Sequence, residues 1–209
     1  MFTKGLSKQT QSNLESLSNV QFVSKYYLAG GTGLSLHLGH RFSHDLDFFS
    51  LTPEKSIIIA SGLMNKGMLE VLQNDEGTFN GRLNGVKMSF FLYPYKLLFP
   101  VVIYRNVKIA DILDIACMKI EAISSRGTKR DFVDLYTICN TTKSLQELLT
   151  LFEEKYEGIK YNMLHILKSL VYFEDAEHDE MPRMITNISW NEVKEFFQIE
   201  AKKIIFPVG

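Results

Sequence analysis

Residues 28–50 constrain the fold more than any other part of this chain. They read Leu-Ala-Gly-Gly-Thr-Gly-Leu-Ser-Leu-His-Leu-Gly-His-Arg-Phe-Ser-His-Asp-Leu-Asp-Phe-Phe-Ser. Tyr26 to Ala29 read as a short apolar strand, Gly30 and Gly31 as a tight turn, and Leu34, Leu36 and Leu38 as the apolar side of a following helix. The run closes on Asp45 and Asp47 with Leu46 between them. Successive side chains of a strand point to opposite faces, so both carboxylates would project together while Leu46 enters the core. Two carboxylates on one side make a site for a divalent cation, Mg2+ or Mn2+. The plainer alternative is that the glycines form an ordinary turn and Asp45 caps a strand end.

The same stretch offers a place for phosphates. Glycines let a backbone approach a ligand closely, and the helix that follows presents unpaired N–H groups carrying partial positive charge. Thr32 adds a hydroxyl.

The chain has 209 residues, 45% of them hydrophobic and 12% aromatic, enough to bury a core of one domain with a packed helical extension. No run of about 18 apolar residues is free of charge, and the first residues lack a hydrophobic segment of the signal-peptide type. A soluble, cytoplasmic protein without membrane contact is expected. Cys117 and Cys139 have neither metal-knuckle nor redox-pair spacing and read as reduced core residues. With a net charge of −1, no global field draws in nucleic acid. Local basic clusters are His40, Arg41 and His44 beside the aspartates, and Lys119, Arg126, Lys129 and Arg130 around an interhelical turn. A solvated charged face is the alternative for each.

Along the chain, the pattern predicts a helix over 8–18. Thr52 and Pro53 are expected to open a further helix that runs to about Lys66. Strands are predicted over Met68–Gln73, Thr78–Leu83 and Val86–Tyr93, the last two joined by the hairpin dipeptide Asn84-Gly85. From Asp111 the period changes from two to near 3.6, with helices over 111–125, 129–140, 144–154, 160–175 and 189–204. The acidic run Glu174–Glu180 reads as an exposed loop. The fold class expected is α/β (α+β), a mixed sheet with flanking helices over residues 1–106 and a mostly helical half over 107–209.

Lys119 lies in the middle of the apolar stripe of Ile112, Ile115, Ala116 and Ile123, so its head must snorkel out or find an anion. Replacing it by methionine is expected to leave stability unchanged or raise it in the absence of ligand, since an apolar side chain suits that face. Asp131 follows Thr128 at capping-box spacing and also lies at the margin of the buried face of its helix.

The run Gly-Gly-Thr-x-Leu-x-Leu-x-x-Gly-His-Arg-x-Ser-x-Asp-Leu-Asp-Phe-Phe resembles the first motif of the AbiEii/AbiGii toxin family, within the nucleotidyltransferase superfamily. The later motifs of that family are matched by Asp114, Ile115, Lys119, Ala122, Arg126, Arg130, Asp131, Asp134, Leu135 and Tyr136. The resemblance implies a bacterial toxin–antitoxin and phage-defence protein of nucleotidyltransferase fold. Such a protein moves a nucleoside monophosphate from an NTP to a hydroxyl of tRNA or protein, and its antitoxin is a separate chain. It places Asp45 and Asp47 at the metal and Lys119 and Asp131 with them in the active site. Asp131 would orient Lys119 or serve as the base for the acceptor hydroxyl. Gly30, Gly31, Thr32, His40, Arg41, Ser43, Arg126 and Arg130 would bind nucleotide. One departure stands out. Many nucleotidyltransferases carry a third carboxylate on a later strand, yet residues 86–92 contain no acid and Ser89 stands at the corresponding position. That departure opens the alternative of a catalytically inactive nucleotide-binding or interaction module.

Overall fold

A computed structural model describes residues 1–205. The chain divides into two compact units, Met1–Asp111 and Ile112–Gly209. The first is a seven-stranded mixed sheet with helices. Its elements are α1 (Lys8–Leu17), a 3-10 turn (Gln21–Lys25), β1 (Tyr27–Leu28), α2 (Gly30–Leu38), β2 (Leu46–Ser50), α3 (Ser56–Met64), β3 (Leu69–Asp75), β4 (Thr78–Leu83), β5 (Val86–Leu92), β6 (Val102–Tyr104) and β7 (Val107–Ile109). The strand order is β3-β4-β5-β2-β1-β7-β6. β2 runs parallel to β5 and antiparallel to β1, and β7 runs parallel to β1.

Alternation along the central strands divides the sheet into two chemical faces. Leu46 and Phe48 of β2, Met88 and Phe90 of β5, and Phe79 and Leu83 of β4 are buried. They pack with Leu14 and Leu17 of α1, Phe22 of the turn and Leu63 of α3. Phe90 is the hub: it stacks on Phe48 at 4.9 Å between ring centroids and meets Phe22 and Tyr26 edge-on. The other face carries Asp47 beside Ser89 of β5, which in turn pairs with Asn80 of β4.

Asn84 and Gly85 adopt positive φ of 50° and 80°, the geometry of a two-residue hairpin turn. The β6–β7 hairpin, absent from the sequence expectations, turns in the same way at Arg105 and Asn106, with φ of 47° and 61°. Its strands are too short to show alternation, and no glycine marks the turn. The helix expected from Pro53 begins only at Ser56. The backbone N–H of Thr52 donates to Ser50 Oγ and that of Glu54 to the Tyr26 hydroxyl, so tertiary partners hold the backbone where helix was expected to begin.

The second unit is helical: α4 (Ile112–Ser125), α5 (Lys129–Thr141), α6 (Leu145–Lys155), α7 (Met163–Ser169), α8 (Glu174–Glu177) and α9 (Trp190–Ile205). α4 packs on α5, α6 and α7, and α5 packs on α9. Phe132 of α5 meets Phe173, Trp190 and Phe197. The helix expected over 160–175 is broken into α7 and α8, and the start of the acidic run forms α8 instead of a loop. Asn162 caps α7 by accepting the N–H groups of Leu164 and His165. Buried Ile166, Leu167, Leu170 and Phe173 keep helical spacing across the break, which explains why the period alone did not reveal it. Among the described residues no helix is long and apolar enough to cross a membrane.

Candidate active site

Three backbone features bring the glycine turn onto the aspartate strand. The Ala29 N–H donates to the Asp47 carbonyl at 3.0 Å, so the residue before Gly30 is fastened to the acidic strand. Gly30 has φ of +61°, and a Cβ there would lie 3.2 Å from Asp47 Oδ2. The left-handed conformation and this close approach both favour glycine. Gly31 lies under Arg41: a Cβ would fall 2.3 Å from Nη2 of that guanidinium and 3.1 Å from Ser43 Oγ. Chain turn, carboxylate and guanidinium are thus packed at the start of α2. No side-chain hydrogen bond caps α2 at Ala29, and the first N–H groups of a helix lack intrahelical acceptors.

The loop from Gly39 to Asp45 is tied down at successive residues. Ser35 Oγ donates to the Arg41 carbonyl at 2.8 Å, and the Ser43 N–H to the Gly5 carbonyl at 2.9 Å. Thr10 Oγ1 donates to the His44 carbonyl at 3.2 Å. Thr32 Oγ1 donates to the Asp45 carbonyl and is hydrogen-bonded to Ser43 Oγ at 2.8 Å. The Thr32 hydroxyl is therefore used inside the protein, to fix the peptide that carries Asp45. His40 and Arg41 are buried, at 1% and 4% exposure, and Arg41 Nη1 donates to the Phe42 carbonyl.

Asp45, Asp47 and Phe49 are partly exposed, whereas Leu46, Phe48 and Ser50 are buried, so the two carboxylates share a face. Among the described residues no hydrogen bond or ion pair reaches the Asp45 side chain. The parallel register sets Ser89 beside Asp47, the place where a third carboxylate would join the pair. No group of three or more His, Cys, Asp or Glu side chains fit for a metal occurs among the described residues. Two carboxylates suit Mg2+, which keeps several waters and is commonly bound through one or two carboxylates plus substrate phosphates. The donor set fits a metal brought in with a nucleotide better than one resident in the protein alone.

The second unit shows what Lys119 meets. Its ammonium lies 2.8 Å from Asp131 Oδ1 and 2.6 Å from Asp134 Oδ2, with both aspartate side chains fully buried. The lysine does not snorkel to solvent. Asp131 also accepts from Arg126 Nε at 2.9 Å and from Thr128 Oγ1 at 2.6 Å. Burial alone would raise the Asp131 carboxyl, but Lys119 and Arg126 outweigh it and hold the group well below the usual carboxylate range. A carboxylate so stabilised is a poor proton acceptor at neutral pH, so its geometry is that of a positioning group for Lys119. Arg126 and Arg130 are both exposed. A second buried pair, Lys155 with Asp114 at 2.7 Å, lies among the same helices. Burial pushes the Cys117 and Cys139 thiols up to about 12, so neither is a nucleophile at neutral pH.

Sequence reasoning missed two parts of this arrangement. Asp134 is a full partner of Lys119; its position three residues after Asp131 placed it on the same side of α5. Arg82 and Lys87 line a cavity with Asp45. The signal for them was strand alternation carried through the Asn84-Gly85 turn, which pairs Arg82 with Lys87.

Comparison with known proteins agrees with this geometry. The profile described as "Nucleotidyl transferase AbiEii toxin, Type IV TA system" matches residues 13–90 and 94–202. The protein aq_aa25 of Aquifex aeolicus (strain VF5) is 38% identical over 206 residues, spanning 96% of this chain and 98% of its own. Among solved structures, MenT4, the nucleotidyltransferase toxin Rv2826c of Mycobacterium tuberculosis H37Rv, superposes with a TM-score of 0.59 at 16% identity, covering 90% of this chain and 80% of its own. JHP933 from Helicobacter pylori gives 0.52 at 16% identity, over 96% and 95% of the two chains. These two share the fold. With the profile spanning nearly all of both units and a relative of this identity over nearly the full length, the chain belongs to the AbiEii nucleotidyl transferase toxin family.

Proposed function

We propose that this protein transfers a nucleoside monophosphate from an NTP to a hydroxyl acceptor, with pyrophosphate as leaving group and Mg2+ or Mn2+ required. The observation that carries this reading is the shared face of Asp45 and Asp47, fastened to the glycine turn through the Ala29–Asp47 hydrogen bond. Asp45 and Asp47 would hold the divalent cation, whose chemistry is charge neutralisation and polarisation of the α-phosphoryl group. Backbone N–H groups of Gly31 and Thr32 would bind the triphosphate, with the Arg41 guanidinium over Gly31 adding positive charge. Lys119 is the further cation this reading assigns to the triphosphate, and Asp131 is its positioning group rather than the acceptor base.

Family membership extends the proposal to a separate antitoxin protein and to action within the bacterial cytoplasm, with a tRNA or protein hydroxyl as acceptor. Ser89 beside Asp47 favours a second reading, a module that binds nucleotide without transferring it. Incubation with each α-labelled NTP, Mg2+ and total RNA or protein decides between them. Label on a macromolecule, lost in Asp45→Asn, is expected. NTP binding with no label transferred under any condition would leave only the silent module.

A further inference from the structure

We infer that the cavity beside Asp45 is a docking groove for the sugar-phosphate backbone of a polynucleotide acceptor. The inference deepens the transferase reading and rests on it for the acceptor role, though not for the binding itself. The cavity measures about 460 Å3 and lies between the first turn of α1 and the β4–β5 hairpin, with His44 and Asp45 on its wall. Its volume is within the ~300–1,000 Å3 range of small-ligand clefts, room for a nucleotide unit at the metal-binding carboxylate.

Its charge points to an anion. Arg82 and Lys87 are directly opposed across β4 and β5, a like-charge pairing that costs stability and that an anion held by both would relieve. Among the described residues Glu70 of β3 pairs with Arg82 alone, through Nη1 at 3.2 Å. Among the described residues no carboxylate reaches Lys87, which is exposed. His44, also exposed, stands on the side of Asp45. In a chain of net charge −1, Arg82 and Lys87 side by side on this wall form a local attractor for polyanion.

The remaining lining favours a nucleic acid over a protein acceptor. It carries polar groups such as Gln9 and Asn84 and includes no phenylalanine, tyrosine or tryptophan and no exposed large apolar side chain. A docked protein segment would lack the apolar anchors that dominate protein interfaces, whereas phosphate and ribose need only cations and hydrogen-bond partners. Apart from the His44 imidazole the lining offers no ring for base stacking, so binding should be tolerant of sequence and strongly dependent on salt.

The test titrates a fluorescein-labelled single-stranded RNA with a free 3′ hydroxyl against the intact protein, by anisotropy across a salt series. Arg82→Gln/Lys87→Gln is expected to bind about 10-fold more weakly, with the log-log salt slope reduced by about 1.4 for two lost phosphate contacts. Both side chains are exposed, and melting temperatures recorded alongside check the fold. Lys87→Arg should retain wild-type affinity, and NTP affinity by calorimetry should be unchanged in the double variant. Asp45→Asn should keep RNA binding while losing label transfer, so a failure of the transferase reading shows in that variant and a failure of the groove shows in the double variant. Equal affinity and slope in wild type and double variant would overturn the inference. Transfer of label to a protein hydroxyl at the same rate in both would overturn it also.

Discussion

Lys119 reaches Asp134 across a 2.6 Å ion pair in which the lysine side chain is 6% exposed and the aspartate 0%. The pair reverses an expectation drawn from helix periodicity. A lone lysine on an apolar stripe can be replaced by methionine at little cost, but this lysine neutralises two buried carboxylates. Removing it takes the ammonium away from buried Asp134, while Asp131 keeps Arg126. Lys119→Met should therefore destabilise the protein by about 3–5 kcal/mol, the usual cost of breaking a buried pair from one side. Urea unfolding measures the loss. Adding Asp131→Asn and Asp134→Asn to the same variant should recover part of it, because the buried carboxyl groups that lost the ammonium are then replaced by neutral amides. Under the proposed mechanism Lys119→Met also weakens NTP binding, and unchanged NTP affinity would make the lysine purely structural.

The Asp131 network carries a pH signature. Its folded carboxyl lies below the unfolded value, so its contribution is present above about pH 4, where an unfolded aspartate is ionised. That contribution is lost as pH falls from there toward the folded value. Asp131→Asn should be clearly less stable than wild type at pH 7, and the gap should narrow steadily below about pH 4. Thermal unfolding at several pH values checks this, and a gap independent of pH would remove the electrostatic account.

The turn glycines can be tested separately from the acids. Gly30→Ala places a side chain at φ +61° and 3.2 Å from Asp47 Oδ2. Backbone strain of about 1–2 kcal/mol is expected, together with a displaced Asp47 carboxylate. The measurable result is a lower melting temperature and weaker Mn2+ binding in the presence of a non-hydrolysable NTP analogue. If Mn2+ affinity stays unchanged while stability falls, the glycine serves the turn and not the carboxylate.

Much of this architecture is written in local patterns, and what is not written there is tertiary. The strand at Leu46–Ser50 and the hairpin at Asn84-Gly85 follow from alternation and turn chemistry, which need only neighbouring residues. Ser89 was placed at the position of a third carboxylate by the family resemblance and not by local pattern, and the β2–β5 register puts it next to Asp47. The partners of Lys119 could not be read from its own helix, because periodicity shows which face is buried and not which residues cover it. The inward bond of the Thr32 hydroxyl was hidden for the same reason. Its acceptor, the Asp45 carbonyl, lies on the far side of the loop.

Ser89 offers the most direct test of a metal at this face. The side chain is 1% exposed and adjoins Asp47 in the β2–β5 register. Aspartate at this position would set a second carboxylate against the first in a buried place. Without metal, Ser89→Asp should lower the melting temperature, through like-charge repulsion and desolvation together. A divalent cation reverses the sign of that local electrostatics, since the new carboxylate becomes a ligand. Ser89→Asp should then gain more stability from Mn2+ and NTP analogue than wild type does, as any ligand that binds the folded state stabilises it in proportion to its affinity. Thermal melts over a Mn2+ series, with Ser89→Asn as the uncharged control, separate the two effects. If the melting temperature of Ser89→Asp stayed depressed at saturating Mn2+, no cation would be bound between Asp47 and this strand, and the assignment of Asp47 as a metal ligand would fail with it.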